Sequence, residues 1–168
     1  MRFIKLGLIS IVFFFLLLTA FSLLLPSQTN ISRAIDINAP AASVFPYIND
    51  MSKWKKWYAD YDSSNTSLAQ TRVGKGAILT TNKTTITIQS NSPEKIKAVW
   101  QTGENNPVQG EFNFISRNAD SSMTLQWNFI QKVKWYPWQK IASIVSNKTI
   151  GPFMEKSLEN LKREAEQQ

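Results

Sequence analysis

The sequence predicts an α+β domain behind an apolar N-terminal helix, with an antiparallel β-meander closed by one long C-terminal helical arm. Three observations carry this reading. Between residues 77 and 132, five short runs rich in β-branched and aromatic residues follow one another with only turn signals between them. Met154, Leu158, Leu161 and Ala165 recur at helical spacing, opposite a charged face of Glu155, Lys156, Glu159, Lys162, Arg163 and Glu166. Leu6 to Leu25 is a run of twenty residues without a charge.

The N-terminal run is preceded by Arg2 and Lys5 and followed by Pro26. At about 1.5 Å per residue it covers roughly 30 Å, the thickness of a bilayer's hydrocarbon core. Residues 1–26 are therefore expected to form a single-pass anchor, with Ser27–Asn30 as a short polar linker and residues 31–168 as the domain. The basic start favours a cytoplasmic N-terminus and a domain on the outer side, periplasmic or extracellular. A cleaved signal peptide is the competing reading, with Ala20-Phe21-Ser22 as a poor cleavage site.

Composition narrows the chemistry. The 168 residues include no His and no Cys, which removes thiol catalysis, the usual general base and a disulfide framework; neither a metal nor a cofactor is expected. Lys and Arg total 19 against 12 acidic residues. Without Arg2 and Lys5 the balance is 17 to 12, a net +5. In an exported, tethered domain that excess serves solubility and a nearby anionic lipid surface, and nucleic acid is not an expected partner.

Taking the domain in order, Ile31, Ile35 and Ile37 alternate with polar residues as a first strand, with Arg33 in their phase. Ala41 to Asn49 reads as a short helix, shortened or bent by Pro46. Asp50 or Ser52 then caps a second short helix carrying Trp54 and Trp57. Tyr58 to Thr71 reads as an exposed connection or irregular edge strand, and Gly74-Lys75-Gly76 as a turn or bulge. The strands follow at Ala77–Thr81, Thr84–Gln89, Lys95–Gln101, Gln109–Ser116 and Ser122–Lys132. One face of this sheet collects Ile86 and Ile88; Ile96, Ala98 and Trp100; Phe112 and Phe114; and Met123, Leu125, Trp127 and Phe129.

In the arm, Ile141, Ile144 and Val145 form a second apolar stripe pointing well away from the first, and Gly151-Pro152 is expected to break or kink the helix between them. Trp135-Tyr136-Pro137-Trp138, beside Lys132 and Lys134, either plugs the end of the sheet or meets lipid headgroups; Trp135, Tyr136 and Trp138 are the candidate membrane-interface residues.

The order of elements, together with Ile35-Asp36-Ile37-Asn38-Ala39-Pro40 running into Val44-Phe45-Pro46-Tyr47-Ile48-Asn49-Asp50, Trp54-Lys55-Lys56-Trp57, Gly74-Lys75-Gly76-Ala77 and residues 151–162, resembles the START-like (SRPBCC) superfamily, and within it the polyketide cyclase/dehydrase-like proteins. The resemblance covers about residues 31 to 166. It implies a helix-grip fold, a curved antiparallel sheet wrapped on the C-terminal helix, with an apolar ligand held between them. Pro46 and the anchor depart from the family pattern.

The reading that follows is a membrane-anchored domain binding a lipid or other hydrophobic small molecule. Its cavity would be lined by Trp54, Trp57, Trp100, Phe112, Phe114, Trp127, Phe129, Met154, Leu158 and Leu161. The bland alternative is that these rings fill the space themselves. A cyclase or dehydratase would need a polar group in the pocket, for which Arg33, Tyr47, Asp50 and Glu111 are the candidates, Glu111 being out of phase. No catalytic constellation is evident. A third alternative is an interaction module using Trp135, Tyr136 and Trp138 as anchors for an envelope partner.

Overall fold

The computed structural model describes the backbone of residues 2–24, 28–82, 84–117, 121–132 and 137–167; the side chains of residues 2, 22–23 and 137–147 fall outside that description. Helix α1 is Arg2–Leu24. Its stretch Phe3–Phe21 has a mean hydropathy of 2.4, and none of it is buried against the rest of the chain. After it come β1 (Gln28–Ile37), α2 (Ala41–Asn49), a 3₁₀ helix (Met51–Lys56), β2 (Thr66–Leu68), β3 (Ile78–Thr81), β4 (Thr84–Ser92), β5 (Lys95–Thr102), β6 (Val108–Arg117), β7 (Ser122–Lys132) and α3 (Pro137–Glu166).

The strands form one antiparallel sheet in the order β1-β7-β6-β5-β4-β3-β2. From β2 to β7 each strand pairs with its neighbour in sequence. Only β1 is out of order, and it lies beside β7, so the first and last strands meet at one edge. The two short helices carry the chain from that edge to the other. Asp50 starts the 3₁₀ helix as expected, its Oδ1 accepting from Ser52 N at 2.9 Å and from Ser52 Oγ at 2.6 Å. Gly74 and Gly76 take φ of 73° and 86°, the turn geometry that favours glycine.

The apolar set on the inner face is buried as its phase requires. Ile86, Ile96, Phe112, Met123, Leu125 and Trp127 are wholly inaccessible, and α3 covers them with Met154, Leu158, Leu161 and Ala165.

Three expectations need correcting. The strand β1 begins at Gln28 rather than Ile31, because Gln28, Thr29 and Asn30 pair with Lys132, Gln131 and Ile130. Backbone pairing needs no apolar alternation, so the isoleucine pattern underestimates its length. Tyr58, expected in an exposed connection, is buried, and only Thr66–Leu68 of that stretch pairs as an edge strand. Of the expected break or kink at Gly151-Pro152, the break does not occur: α3 runs through both residues as one element. An interior proline costs about 3 kcal/mol. Burying each of Met154, Leu158 and Leu161 contributes about 1.5–3 kcal/mol, so their sum outweighs it. The second stripe, Ile141, Ile144 and Val145, lies among side chains outside the described set.

Gly110 shows how tightly the inner face is packed. A Cβ there would meet Trp100 Cζ3 at 2.2 Å and Cη2 at 2.8 Å, and the Trp100 ring is held by its neighbours on all sides. Gly110→Ala is expected to destabilise the domain by about 1–3 kcal/mol through overpacking, read as a lower thermal midpoint with α-helical content retained in the native baseline.

Candidate functional site

The space between the sheet and α3 is occupied by a layer of rings whose positions follow from strand phase. Trp100 comes from β5, Phe112 from β6, and Trp127 and Phe129 from β7, all on the inward phase of their strands. Trp54 and Trp57 reach the same layer from the 3₁₀ helix and the residue after it. Trp127 is the hub. It stacks on Phe112 at 4.9 Å and meets Phe129 at 5.0 Å, Phe153 at 5.8 Å, Trp100 at 6.0 Å and Trp57 at 6.1 Å. Trp100 meets Phe129 edge-on at 4.7 Å, and Trp54 meets Trp57 at the same distance. Such contacts each add about 0.5–1.5 kcal/mol beyond area burial.

Met154, Leu158 and Leu161 close over this layer from α3. Phe114 stands apart from it. Its ring pairs with Phe45 at 5.5 Å and lines a separate cavity of about 420 Å³ beside Ala41, Ala42, Pro93 and Glu94, at the opposite end of the sheet from Gln28. Trp135 and Tyr136 lie outside the described residues, as does the side chain of Trp138.

Two members of the layer escaped the sequence reading. Tyr58 follows Trp57 directly, but its polar, serine-rich surroundings marked it as exposed. Phe153 precedes Met154 on the arm, where one helical step widens the buried stripe. It contacts Tyr58 at 5.2 Å. Ser157, one turn on, is fully buried; its Oγ accepts from Ala59 N at 3.1 Å and donates to Phe153 O at 2.9 Å.

Polar groups inside the layer are few, and most are satisfied. The indole N–H of Trp54 donates to Ile48 O at 2.9 Å, that of Trp57 to Tyr47 O at 2.9 Å, and that of Trp100 to Tyr58 Oη at 3.0 Å. Trp127 differs: its Nε1 is buried and has no hydrogen-bond partner among the described residues.

The four polar candidates for chemistry do not converge. Asp50 caps the 3₁₀ helix. Tyr47 Oη donates to Glu164 O at 3.2 Å, near the end of α3. Glu111 is on the outer face, 3.3 Å from Lys95 Nζ and 3.1 Å from Lys97 Nζ. Burial alone would raise its carboxyl pKa, but the hydrogen bonds from Lys97 and Lys95 prevail and hold it below the usual range.

Arg33 is on the inner side of β1, opposite Trp127 in register. Its Nε lies 2.5 Å from Glu155 Oε1, and the pair is partly exposed. Gly151 leaves room for this guanidinium, since a Cβ would sit 2.2 Å from Arg33 Nη2. Among the described residues, no group of three or more acidic, His or Cys side chains is placed to hold a metal.

The Tyr58 hydroxyl gives a pH-dependent handle on this layer. Burial raises its pKa well above the ordinary 10.0, with the bond from Trp100 opposing that shift. A folded-state pKa above the unfolded value means that the unfolded chain ionises first. Stability contributed by the neutral phenol is thus complete below about pH 10 and is lost as pH rises beyond it. Tyr58→Phe is expected to flatten that alkaline fall in thermal midpoint. Near neutrality it should cost about 1–3 kcal/mol by orphaning the Trp100 donor.

Residues 28–166 match the family described as polyketide cyclase/dehydrase and lipid transport. No curated protein matches the chain in sequence. Among solved structures, a START superfamily protein from Mycobacterium smegmatis superposes with a TM-score of 0.62 at 16% identity, over 82% of this chain and 97% of that one. A protein from Nitrosospira multiformis gives 0.62 at 13% identity, over 81% and 95%. Norcoclaurine synthase from Thalictrum flavum, solved with dopamine and hydroxybenzaldehyde, gives 0.61 at 10% identity, over 81% and 85%. At such identities the structural neighbours establish the fold alone. With the sheet-on-helix architecture and the family match over nearly the whole domain, the chain belongs to the polyketide cyclase/dehydrase and lipid transport family and has the START-like, helix-grip fold.

Proposed function

We propose that this chain is a membrane-tethered binding domain that takes a lipid or other hydrophobic small molecule between the sheet and α3. The anchor in this reading is α1, which inserts in a bilayer with the domain on its outer side. The ligand's apolar part would lie against Trp54, Trp57, Trp100, Phe112, Trp127 and Phe129, under Met154, Leu158 and Leu161. One observation carries the reading: the buried Trp127 Nε1 donates to no acceptor among the described residues. An unmet buried donor costs about 1–3 kcal/mol, and a ligand oxygen placed beside it would remove that cost.

The rings touch one another, so a ligand enters only if α3 shifts off the layer. The weakest place in α3 is Gly151-Pro152. Pro152 brings no N–H to the helical ladder and Gly151 adds no side chain, so a bend that admits a ligand would be expected to form at this pair.

Native mass spectrometry of the full chain, released gently from detergent, is expected to show a co-purifying apolar species. A chain that carries none, and whose melting is unmoved by any lipid added, would sink the proposal. Trp127→Phe keeps a ring but removes the donor. It is expected to weaken binding of methyl laurate about tenfold, the effect of one hydrogen bond of about 1.4 kcal/mol, while leaving dodecane binding unchanged.

A further inference from the structure

The end of the domain nearest α1 carries a groove suited to the surface of the bilayer. Only residues 25–27 separate α1 from β1. Four chain steps extend no further than about 14 Å, so Gln28 is tied that close to the end of the helix. The interfacial zone of a bilayer is itself about 5–8 Å deep on each side. On the reading that α1 spans, on which this inference rests, the start of β1 therefore lies no more than about 14 Å from the end of the span, within reach of the phospholipid headgroups.

Sheet register fixes what else is there. Gln28 pairs with Lys132 at the end of β7, and Asn30 with Ile130. Gln109 of β6 lies on the other side of Ile130. Asn106 and Pro107 lie in the connection that enters β6 at this end. Gln28, Asn106, Pro107, Gln109, Ile130 and Lys132 line one open groove of about 400 Å³. It is on the outer face, because Gln109, Ile130 and Lys132 alternate with the buried Gly110 and Phe129.

Lys132 is exposed and, among the described lining residues, carries the charge, with no carboxylate beside it in that set. The cavity at the far end of the sheet has Glu94 in its described lining.

We propose that this groove is a phospholipid headgroup site, which seats the outer face of β1, β7 and β6 on the same bilayer that holds α1. The Lys132 ammonium meets a lipid phosphate, and Gln28, Asn106 and Gln109 offer amide hydrogen bonds to the headgroup and glycerol oxygens. Seated this way, the domain does not swing freely on its tether. The edge formed by β1 and the start of α3 is held at the membrane surface.

The test uses the full chain reconstituted in vesicles of phosphatidylcholine and phosphatidylglycerol in equal parts, with a photo-crosslinking amino acid at position 109 or, as a distal control, at position 94. Irradiation is expected to give phospholipid adducts from position 109 and none above background from position 94. Adding Lys132→Gln should cut the yield at 109 about fivefold, the effect of removing one interfacial charge. Equal lipid yields at the two positions would overturn the proposal, as would adducts at 109 only with protein or water, while the chain still floats with the vesicles and α1 remains a span. A chain that fails to float, or is stripped by alkaline carbonate, would instead remove the anchor reading and this site with it.

Discussion

The fold depends on the burial of Trp127. Its ring touches aromatic side chains from β5, β6, β7, the segment after the 3₁₀ helix and α3. Every layer of the domain is therefore joined at one residue. A seven-stranded antiparallel sheet has one face to hide, and a single helix is narrow for the task. Large rings solve the mismatch, since each covers more surface than an aliphatic side chain and interlocks with its neighbours through edge-to-face contacts. The same density makes the inner face intolerant of added atoms, as the clash of a Gly110 Cβ with Trp100 illustrates.

Polar groups secure the position of α3 at its rim rather than its centre. Glu166 Oε1 accepts from Asn38 N at 2.8 Å, Lys56 Nζ is 3.0 Å from Glu164 Oε2, and Arg33 pairs with Glu155. Exposed pairs of this kind add little net stability in water. Their contribution is register, fixing how far along the sheet the helix lies, while the stripe from Phe153 to Ala165 supplies the binding energy. Inside, the indoles of Trp54, Trp57 and Trp100 all find acceptors within the protein. The exception is the central one, Trp127, whose Nε1 meets no acceptor among the described residues.

The pairing of β1 with β7 links this interior to the N-terminal helix. It joins the first strand to the last and brings the beginning of the domain, the end of β7 and the entry into β6 to one end of the sheet. A ligand-binding interior and a membrane-facing groove would then lie on opposite faces of the same strands, within a few residues of α1.

Much of this was legible in the sequence because strand phase is local chemistry. Side chains alternate across a strand, so Trp100, Phe112, Trp127 and Phe129 declared their common face from spacing alone, as did Met154, Leu158 and Leu161 on the helix. The outward position of Glu111 followed from the same rule. What the tertiary structure decided was whatever depends on a distant partner. Tyr58 is buried because Trp100, far along the chain, takes its hydroxyl as an acceptor, and a polar local context conceals that. The arm stays whole at Pro152 because long-range packing outweighs a local propensity that reads as a break. Gly151 answers to Arg33 across the fold, and the Trp127 donor goes unmet among the described residues. Local periodicity determines which way a side chain points; only the assembled layers determine what it meets there.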